Sequence, residues 1–257
     1  MMNLIQTLSQ NQYEEYEALI ISKEEYKRKQ NQFYTLYIHE FGDLLTESFK
    51  QKIECIKLKK MITFCITKSN HNQTINQSEL DQYIKDAMSS YNDKLNDLVE
   101  ENNACKDLVE YDMHHIMLVK KIYRRIAKII HPDVNAKLYE HQEIKDLWLR
   151  TTIAYNALDI DELQEIEVLI NKVMKENNYD DLDIEIENIE DKIHQLEEEI
   201  QIITTTNPYM YKYLLEDKEL VSERKQELQD EIDEYKQYAS TLKETLNNYK
   251  IEEAKVS

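Results

Sequence analysis

Residues 119–135 read VKKIYRRIAKIIHPDVN, a stretch of basic and apolar residues that runs directly into a proline. The apolar side chains recur at steps of three and four residues, which predicts one buried face of an α-helix. This face comprises Val119, Ile122, Tyr123, Ile126 and Ile130. Because Pro132 disfavours the helical conformation in the residue before it, the helix should end at His131. We expect the imidazole of His131 and the carboxylate of Asp133 at an exposed corner.

The basic side chains of this helix fall on the side opposite its apolar face. This basic face comprises Lys121, Arg124, Arg125 and Lys128. Residues 116–135 carry five cations against one carboxylate, a net charge of +4, whereas the whole chain of 257 residues has a net charge of −19. A charge run is usually only a solvated helix face. A binding role for this one therefore depends on its sequence context.

A second amphipathic segment follows after about ten loop residues. Its apolar face comprises Ile144, Leu147, Trp148, Thr151, Ala154, Tyr155 and Leu158. Two helices of similar length joined by a short loop are expected to pack as an antiparallel pair. Asp159, with Glu162 in the capping-box position, should begin a third helix. The apolar stripe of that helix is Leu163, Ile166, Leu169, Ile170 and Val173. These three helices form one predicted domain over residues 116–175.

The composition of the chain indicates an all-α protein. One glycine and two prolines are too few for the tight turns of a β-rich fold. The acidic net charge argues against a nucleic-acid partner, because phosphate contacts need a basic surface. No run approaches the roughly 18 apolar residues of a membrane span, and the N-terminus lacks the features of a signal peptide. We expect a cytoplasmic chain, with Cys55, Cys65 and Cys105 as free buried thiols.

Residues 1–112 are predicted to form an N-terminal helical arm. Gly42 and Asp43 should end one helix and begin the next. The polar stretch at 68–78 is aperiodic and is expected to be a loop. Ser78 is a candidate N-cap for a long amphipathic helix that extends to about residue 112.

Residues 177–257 carry two apolar seams separated by a predicted turn at 204–209. The first seam has heptad spacing and comprises Leu182, Ile186, Ile189, Ile193, Leu196, Ile200 and Ile203. The second comprises Leu214, Val221, Leu228, Ile232, Tyr235, Ala239, Leu242, Leu246 and Tyr249. Two seams joined by a turn predict an antiparallel coiled-coil hairpin. The seams pair either within one chain or between two copies, so the sequence leaves open whether the protein is a homodimer.

The stretch at 119–135 and the stretch LWLRTTIAYNAL at 147–158 together resemble the second and third helices of the J domain of DnaJ-type co-chaperones. The resemblance covers roughly residues 116–160. The layout of the chain, with helical arms on both sides, also resembles small bacterial J-domain proteins. The short first helix of a J domain, with its Tyr-x-x-Leu-Gly element, does not precede Val119. Either the long helix predicted at 79–112 packs in its place, or the domain is an incomplete relative.

The resemblance implies a protein that docks on a DnaK-type ATPase and stimulates its ATP hydrolysis. The residues implied in partner binding are His131, Pro132, Asp133 and Asn135, together with Lys121, Arg124, Arg125 and Lys128 of the basic face. Asp133 would pair with an arginine of the partner, and the basic face would steer the chain onto an acidic surface. The C-terminal hairpin would then hold a client protein. No cofactor or metal is expected.

Two other classes of function compete with this one. In the first, the seams mediate assembly, the protein is a structural adaptor, and the J-like segment is a degenerate helical hairpin. The second is an enzyme, and it finds little support because no glycine loop for phosphate and no recognisable nucleophile is present. Asp112, His114 and His115 suggest a metal site, but adjacent histidines on a helix point about 100° apart. We therefore expect a protein that is not an enzyme and binds no metal.

Overall fold

The computed structural model describes residues 2–106, 112–176, 188–249 and 251–252, and confirms the prediction of an all-α fold. The described ranges contain eight α-helices. They are α1 (Met2–Asn70), α2 (Gln77–Ala104), α3 (Met113–Ile130), α4 (Gln142–Ala157), α5 (Ile160–Glu176), α6 (Ile189–Thr205), α7 (Tyr211–Glu216) and α8 (Lys218–Asn247). A short 3-10 turn, Leu138–Glu140, precedes α4. Two strands of two residues each, β1 (Ile75–Asn76) and β2 (Ile251–Glu252), pair in parallel. No helix within the described ranges has both the length and the apolar character needed to cross a membrane.

The chain divides into two compact units. Unit 1 comprises Met1–Gln32 and Val109–Met210, and unit 2 comprises Phe33–Leu108 and Tyr211–Ser257. These units do not follow the three consecutive segments expected from the sequence. Helix α1 contributes its first half to one unit and its second half to the other, and the C-terminal segment is divided after Met210.

The predicted helix break at Gly42 and Asp43 is wrong, because α1 continues through both residues. Gly42 is buried, and a Cβ atom at this position would lie 2.1 Å from the side-chain oxygen of Asn102 in α2. The amide of Asn102 donates to the carboxylate of Asp43 at 2.7 Å. The glycine therefore provides room for the close approach of α2 and does not end the helix.

The N-cap of α2 also differs from the prediction. Asn76 occupies this position in place of Ser78, and its side-chain oxygen accepts hydrogen bonds from the amides of Ser78 and Glu79 at 2.8 and 3.4 Å. Asparagine is as good an N-cap as serine, and here it satisfies two of the free amides of the first turn. The polar loop is shorter than expected, because α1 extends to Asn70.

The predicted hairpin, in which the two C-terminal seams close on each other, needs correction. In unit 1, Ile193 and Leu196 of α6 are buried in a cluster with Tyr16 and Ile20 of α1. In unit 2, Ala239 and Leu242 of α8 are buried in a cluster with Cys55, Leu58 and Ile62 of α1. Each seam therefore packs on a different half of α1. Leu182 and Ile186 of the first seam lie outside the described residues.

Helices α3, α4 and α5 of unit 1 form a bundle with its own apolar core. All five residues of the predicted stripe on α3 are buried, which confirms the helical periodicity. The rings of Tyr123 and Tyr155 stack with their centroids 4.0 Å apart, and Trp148 contacts Tyr123 at 6.0 Å. Asp159 accepts a hydrogen bond from the amide of Glu162 at 3.0 Å, as the capping box predicts. The third helix of the bundle is α5, whereas the helix predicted at 79–112 corresponds to α2 and lies in unit 2.

The three cysteines are free and buried, as predicted. Cys55 donates a weak hydrogen bond to the carbonyl of Tyr235 on α8 at 3.2 Å. Burial raises the pKa of all three thiols. Such thiols stay protonated at neutral pH and behave as small apolar side chains.

Candidate functional site

Helix α3 ends in a compact turn at residues 131–135. The amide of His131 makes the last helical hydrogen bond, to the carbonyl of Ala127 at 3.0 Å, and the backbone of His131 is extended, with ψ of 132°. Its carbonyl accepts hydrogen bonds from the amides of Val134 and Asn135 at 3.1 and 2.8 Å. The helix therefore ends where Pro132 requires, and the residues that follow are fixed by backbone hydrogen bonds.

The side chain of His131 is buried, with 3% of its surface exposed, so the prediction of an exposed imidazole is wrong. Its ring makes an edge contact with Trp148 of α4 at a centroid distance of 4.6 Å. Nδ1 accepts a hydrogen bond from the amide of Asp133 at 3.1 Å. Burial lowers the pKa of His131 to about 4; Lys23 and Lys27 of α1 act in the same direction, and Asp133 opposes them. The imidazole is therefore neutral at pH 7 and holds the turn from inside.

Of the three residues His131, Pro132 and Asp133, the last two reach the surface. Asp133 is exposed, and its carboxylate makes no hydrogen bond or ion pair with any residue in the described ranges. Its backbone carbonyl accepts a long hydrogen bond, 3.5 Å, from the hydroxyl of Tyr16. Pro132 is half-buried. The turn thus presents one negative charge to solvent.

Asn135 is buried and serves the turn itself. Its side-chain oxygen accepts from the amide of Leu138 at 3.2 Å, and its side-chain nitrogen lies 3.5 Å from the carbonyl of Ile129. These contacts tie the end of α3 to the 3-10 turn. The side chain predicted to bind a partner is therefore engaged inside the molecule, where it fixes the turn that carries Asp133.

The basic face lies on the exposed side of α3, as predicted, but its four cations are not equivalent. Arg125 forms a bidentate pair with Glu167 of α5, with the Nη2–Oε2 distance at 2.8 Å, and this pair lowers the pKa of Glu167. Lys128 pairs with Glu17 of α1 at 2.8 Å. Lys121 and Arg124 are exposed and make no ion pair within the described part of the chain. Two of the four cations are therefore available to a partner as the structure stands.

Part of α1 lies beside this face, although no pattern in the sequence predicts that contact. Glu25 binds Lys120 at 2.6 Å; although its burial acts in the opposite direction, hydrogen bonds from Lys120 and Lys29 lower the pKa of its carboxyl group. Arg28 places its guanidinium 5.9 Å from the ring centroid of Tyr155. These residues occur in an ordinary mixed-charge helix. No sequence signal linked them to α3, about 100 residues further along the chain.

Of the two histidines at the start of α3, His115 makes hydrogen bonds within the bundle. Asp112 is the N-cap of α3, and its carboxylate accepts from the amide of His115 at 2.7 Å. Nε2 of His115 lies 2.6 Å from the carbonyl of Leu158. Among the described residues, no group of three histidine, cysteine or carboxylate side chains is placed to hold a metal ion.

No protein-family model matches the chain, and searches of curated proteins and of solved structures gave no match either. The site presents exposed cations on α3 and an exposed carboxylate on the turn that ends this helix.

Proposed function

We propose that the protein is a cytoplasmic J-domain co-chaperone, which docks on a DnaK-type ATPase and stimulates its hydrolysis of ATP. The observation that carries the proposal is the turn at 131–135. It holds the carboxylate of Asp133 without a hydrogen bond or ion pair to any described residue, directly beyond a helix whose outer face is basic. The sequence resemblance supplies the expected partner, and the turn supplies a group suited to bind an arginine of that partner.

The rigidity of the turn supports this role. His131, Asn135 and the backbone hydrogen bonds fix Asp133 before any partner arrives. Because little conformational entropy remains to be lost, a single charged contact retains more of its binding free energy. Lys121 and Arg124 would act mainly on the rate of association, and that effect weakens as salt screens their charges.

The chemistry of ATP hydrolysis belongs to the partner in this proposal. The contribution of the chain is a docking surface that favours the hydrolysing conformation of the ATPase. The alternative of an assembly adaptor depends on seams that are free to pair. Ile193, Leu196, Ala239 and Leu242 are instead buried on α1. The described structure therefore offers that alternative less support than it offers the docking surface.

The test is single-turnover ATP hydrolysis by a DnaK-type ATPase, with the full chain added as wild type or as Asp133→Asn. We expect acceleration by the wild type and a loss of about tenfold or more in the variant, since removing one member of a charged contact typically costs more than 1.4 kcal/mol. Asp133→Asn is preferable to a change at His131, because the imidazole is buried and its loss would disturb the bundle.

Asp161→Asn is the matched control. Asp161 is exposed on α5 of the same bundle and makes no ion pair or hydrogen bond within the described ranges, so the substitution has the same effect on net charge. It should leave stimulation unchanged. If wild type fails to accelerate an ATPase that responds to another J protein, or if both variants lose activity equally, the proposed function is wrong for that ATPase.

A further inference from the structure

The first half of α1 lies along α3 and runs antiparallel to it. Glu17 pairs with Lys128 at 2.8 Å, and Glu25 pairs with Lys120 at 2.6 Å. Eight residues forward along α1 thus correspond to eight residues backward along α3. Both pairs place a carboxylate of α1 on a cation at or beside the basic face.

The same part of α1 also covers the turn. Tyr16 reaches the carbonyl of Asp133, and Tyr16 and Ile20 pack on Val134 in the cluster that contains Ile193 and Leu196 of α6. Val134 is 2% exposed in this arrangement. Helix α6 holds α1 in place through a second contact, the pair between Lys23 and Glu199 at 3.0 Å.

The bundle does not need this cover for its own core. Every buried residue of its apolar cluster comes from α3, α4, α5 or the 3-10 turn between them, and α1 contributes none among the described residues. A helix that contributes nothing to a core can leave without opening a cavity in it. The first half of α1 is therefore separable from the bundle.

Much of what this part of α1 buries is charged. Glu17, Lys23 and Arg28 are buried, although charged side chains are rarely buried, and the first two are paired with Lys128 of α3 and Glu199 of α6. Nε of Arg28 and the hydroxyl of Tyr123 are buried and have no hydrogen-bond partner among the described residues. Both atoms would regain water if α1 moved away, so release is less costly than the buried area alone would indicate.

We propose that residues 16–28 of α1, here called the strap, hold the protein in an autoinhibited state. The carboxylates of the strap occupy cations that would otherwise face an acidic partner, and its apolar residues cover the turn. This inference rests on the proposed function and adds regulation to the same site. Asp133, Lys121 and Arg124 are exposed with the strap in place, so release is required only for docking that also engages Lys120 and Lys128. The apparent affinity of that full contact is reduced by the fraction of molecules in which the strap is closed.

The test uses the full chain with both strap carboxylates reversed, Glu17→Lys/Glu25→Lys. Both ion pairs are lost, and like charges then face Lys128 and Lys120. The control is Glu14→Lys/Glu15→Lys, which makes the same change in net charge on the same helix at exposed positions without ion pairs in the described ranges. A second variant, Glu25→Lys/Lys120→Glu, reverses one pair and preserves its attraction; it is a control for hydrogen exchange alone, because Lys120 is one of the cations that the strap occupies.

Two quantities are measured: hydrogen exchange of the amides of residues 131–138 in the isolated protein, and stimulation of a DnaK-type ATPase. We expect the strap variant to exchange about tenfold faster and to reach half-maximal stimulation at a concentration about tenfold lower than wild type, as a population shift requires. Glu14→Lys/Glu15→Lys should resemble wild type in both measurements, and the reversed pair should resemble wild type in hydrogen exchange.

The outcomes separate this proposal from the one before it. If hydrogen exchange at residues 131–138 is unchanged in the strap variant, the strap does not protect the turn and the proposal of autoinhibition is wrong. Faster exchange with stimulation equal to that of an active wild type shows that the strap covers the turn without inhibiting, so autoinhibition is wrong and the co-chaperone function stands. Faster exchange with no stimulation by either protein, against a responsive ATPase, overturns the proposed function and the autoinhibition with it.

Discussion

The two halves of helix α1 make contacts of different chemistry, although the helix is continuous. Between residues 12 and 32 the buried side chains are two apolar ones, Tyr16 and Ile20, and three charged ones, Glu17, Lys23 and Arg28. Between residues 33 and 70 the buried side chains are nearly all apolar. They are Ile38, Phe41, Ser48, Ile53, Cys55, Leu58, Ile62 and Cys65.

This difference indicates which contact is permanent. An apolar stripe gains free energy in proportion to the area that it buries, and neither salt nor a charged partner competes for it. A contact built on ion pairs loses strength with salt and with any partner that offers the same charges. We infer that the second half of α1 is a structural element of unit 2, whereas the first half is a cover on unit 1 that can exchange.

The largest effect is expected from a substitution that creates a cavity beside the second half of α1. Leu58 is 4% exposed and packs with Ala239 and Leu242 of α8. Leu58→Ala should lower the free energy of unfolding of unit 2 by about 2–5 kcal/mol, the usual cost of such a truncation in a core. Urea denaturation, monitored by hydrogen exchange of the amides of α8, measures this loss of stability.

Ile20→Ala is the matched truncation in the first half, at a residue with 0% exposure. It should accelerate exchange in the turn at 131–135 and leave the unfolding of the α3–α5 bundle unchanged. Trp148, the sole tryptophan of the chain, reports that unfolding by its fluorescence. If Ile20→Ala instead shifts the Trp148 transition as strongly as Leu58→Ala destabilises unit 2, the two halves of α1 do not differ as we infer.

A smaller effect is expected from pH, and it concerns the turn that the strap covers. The pKa of His131, about 4, lies below its ordinary value of 6.5, because burial against Trp148 disfavours the imidazolium, with Lys23 and Lys27 acting in the same direction and Asp133 opposing. The unfolded chain therefore binds the proton first as the pH falls. The contribution of the neutral His131 to the free energy of unfolding is fully present above about pH 6.5. It declines as the pH falls toward 4, by at most about 1.4 kcal/mol per pH unit.

Urea titrations of Trp148 fluorescence at several pH values measure this decline. His131→Gln removes the titrating group, so its stability should depend less on pH across the same window, even if it is lower throughout. Equal pH dependence in the two proteins would show that carboxylates alone cause the loss, and that His131 is not held neutral by the fold.

The sequence was sufficient to predict elements whose determinants are local. The stripe of α3 is buried as its periodicity requires, and the helix ends before Pro132 because the proline ring acts on its own neighbour. The capping box at Asp159 is local in the same way. For these features, no information from distant residues was needed.

The features that the sequence did not reveal depend on distant residues. Gly42 lies within a helix because Asn102, 60 positions further on, needs the space. A heptad seam indicates that a face is buried but does not identify its partner, which for both seams is α1. His131 is buried by Trp148 of another helix. The position of the turn was therefore predictable, whereas its cover was not.

The smallest expected effect comes from single ion pairs, and it sharpens the comparison within unit 1. Arg125 and Glu167 pair inside the bundle at a half-exposed site, with 45% and 26% of their side chains accessible. Glu167→Gln should lower the stability reported by Trp148 by no more than about 1 kcal/mol at low salt, and by less at 1 M salt, where charges are screened within about 3 Å.

Glu25→Gln makes the same substitution in the strap, opposite Lys120. It should leave the unfolding transition reported by Trp148 fluorescence unchanged and accelerate hydrogen exchange at 131–135. The reason is that this pair joins a separable helix to a bundle that is complete without it. If Glu25→Gln shifts that transition more than Glu167→Gln does, the first half of α1 is a fourth helix of the bundle and does not act as its cover.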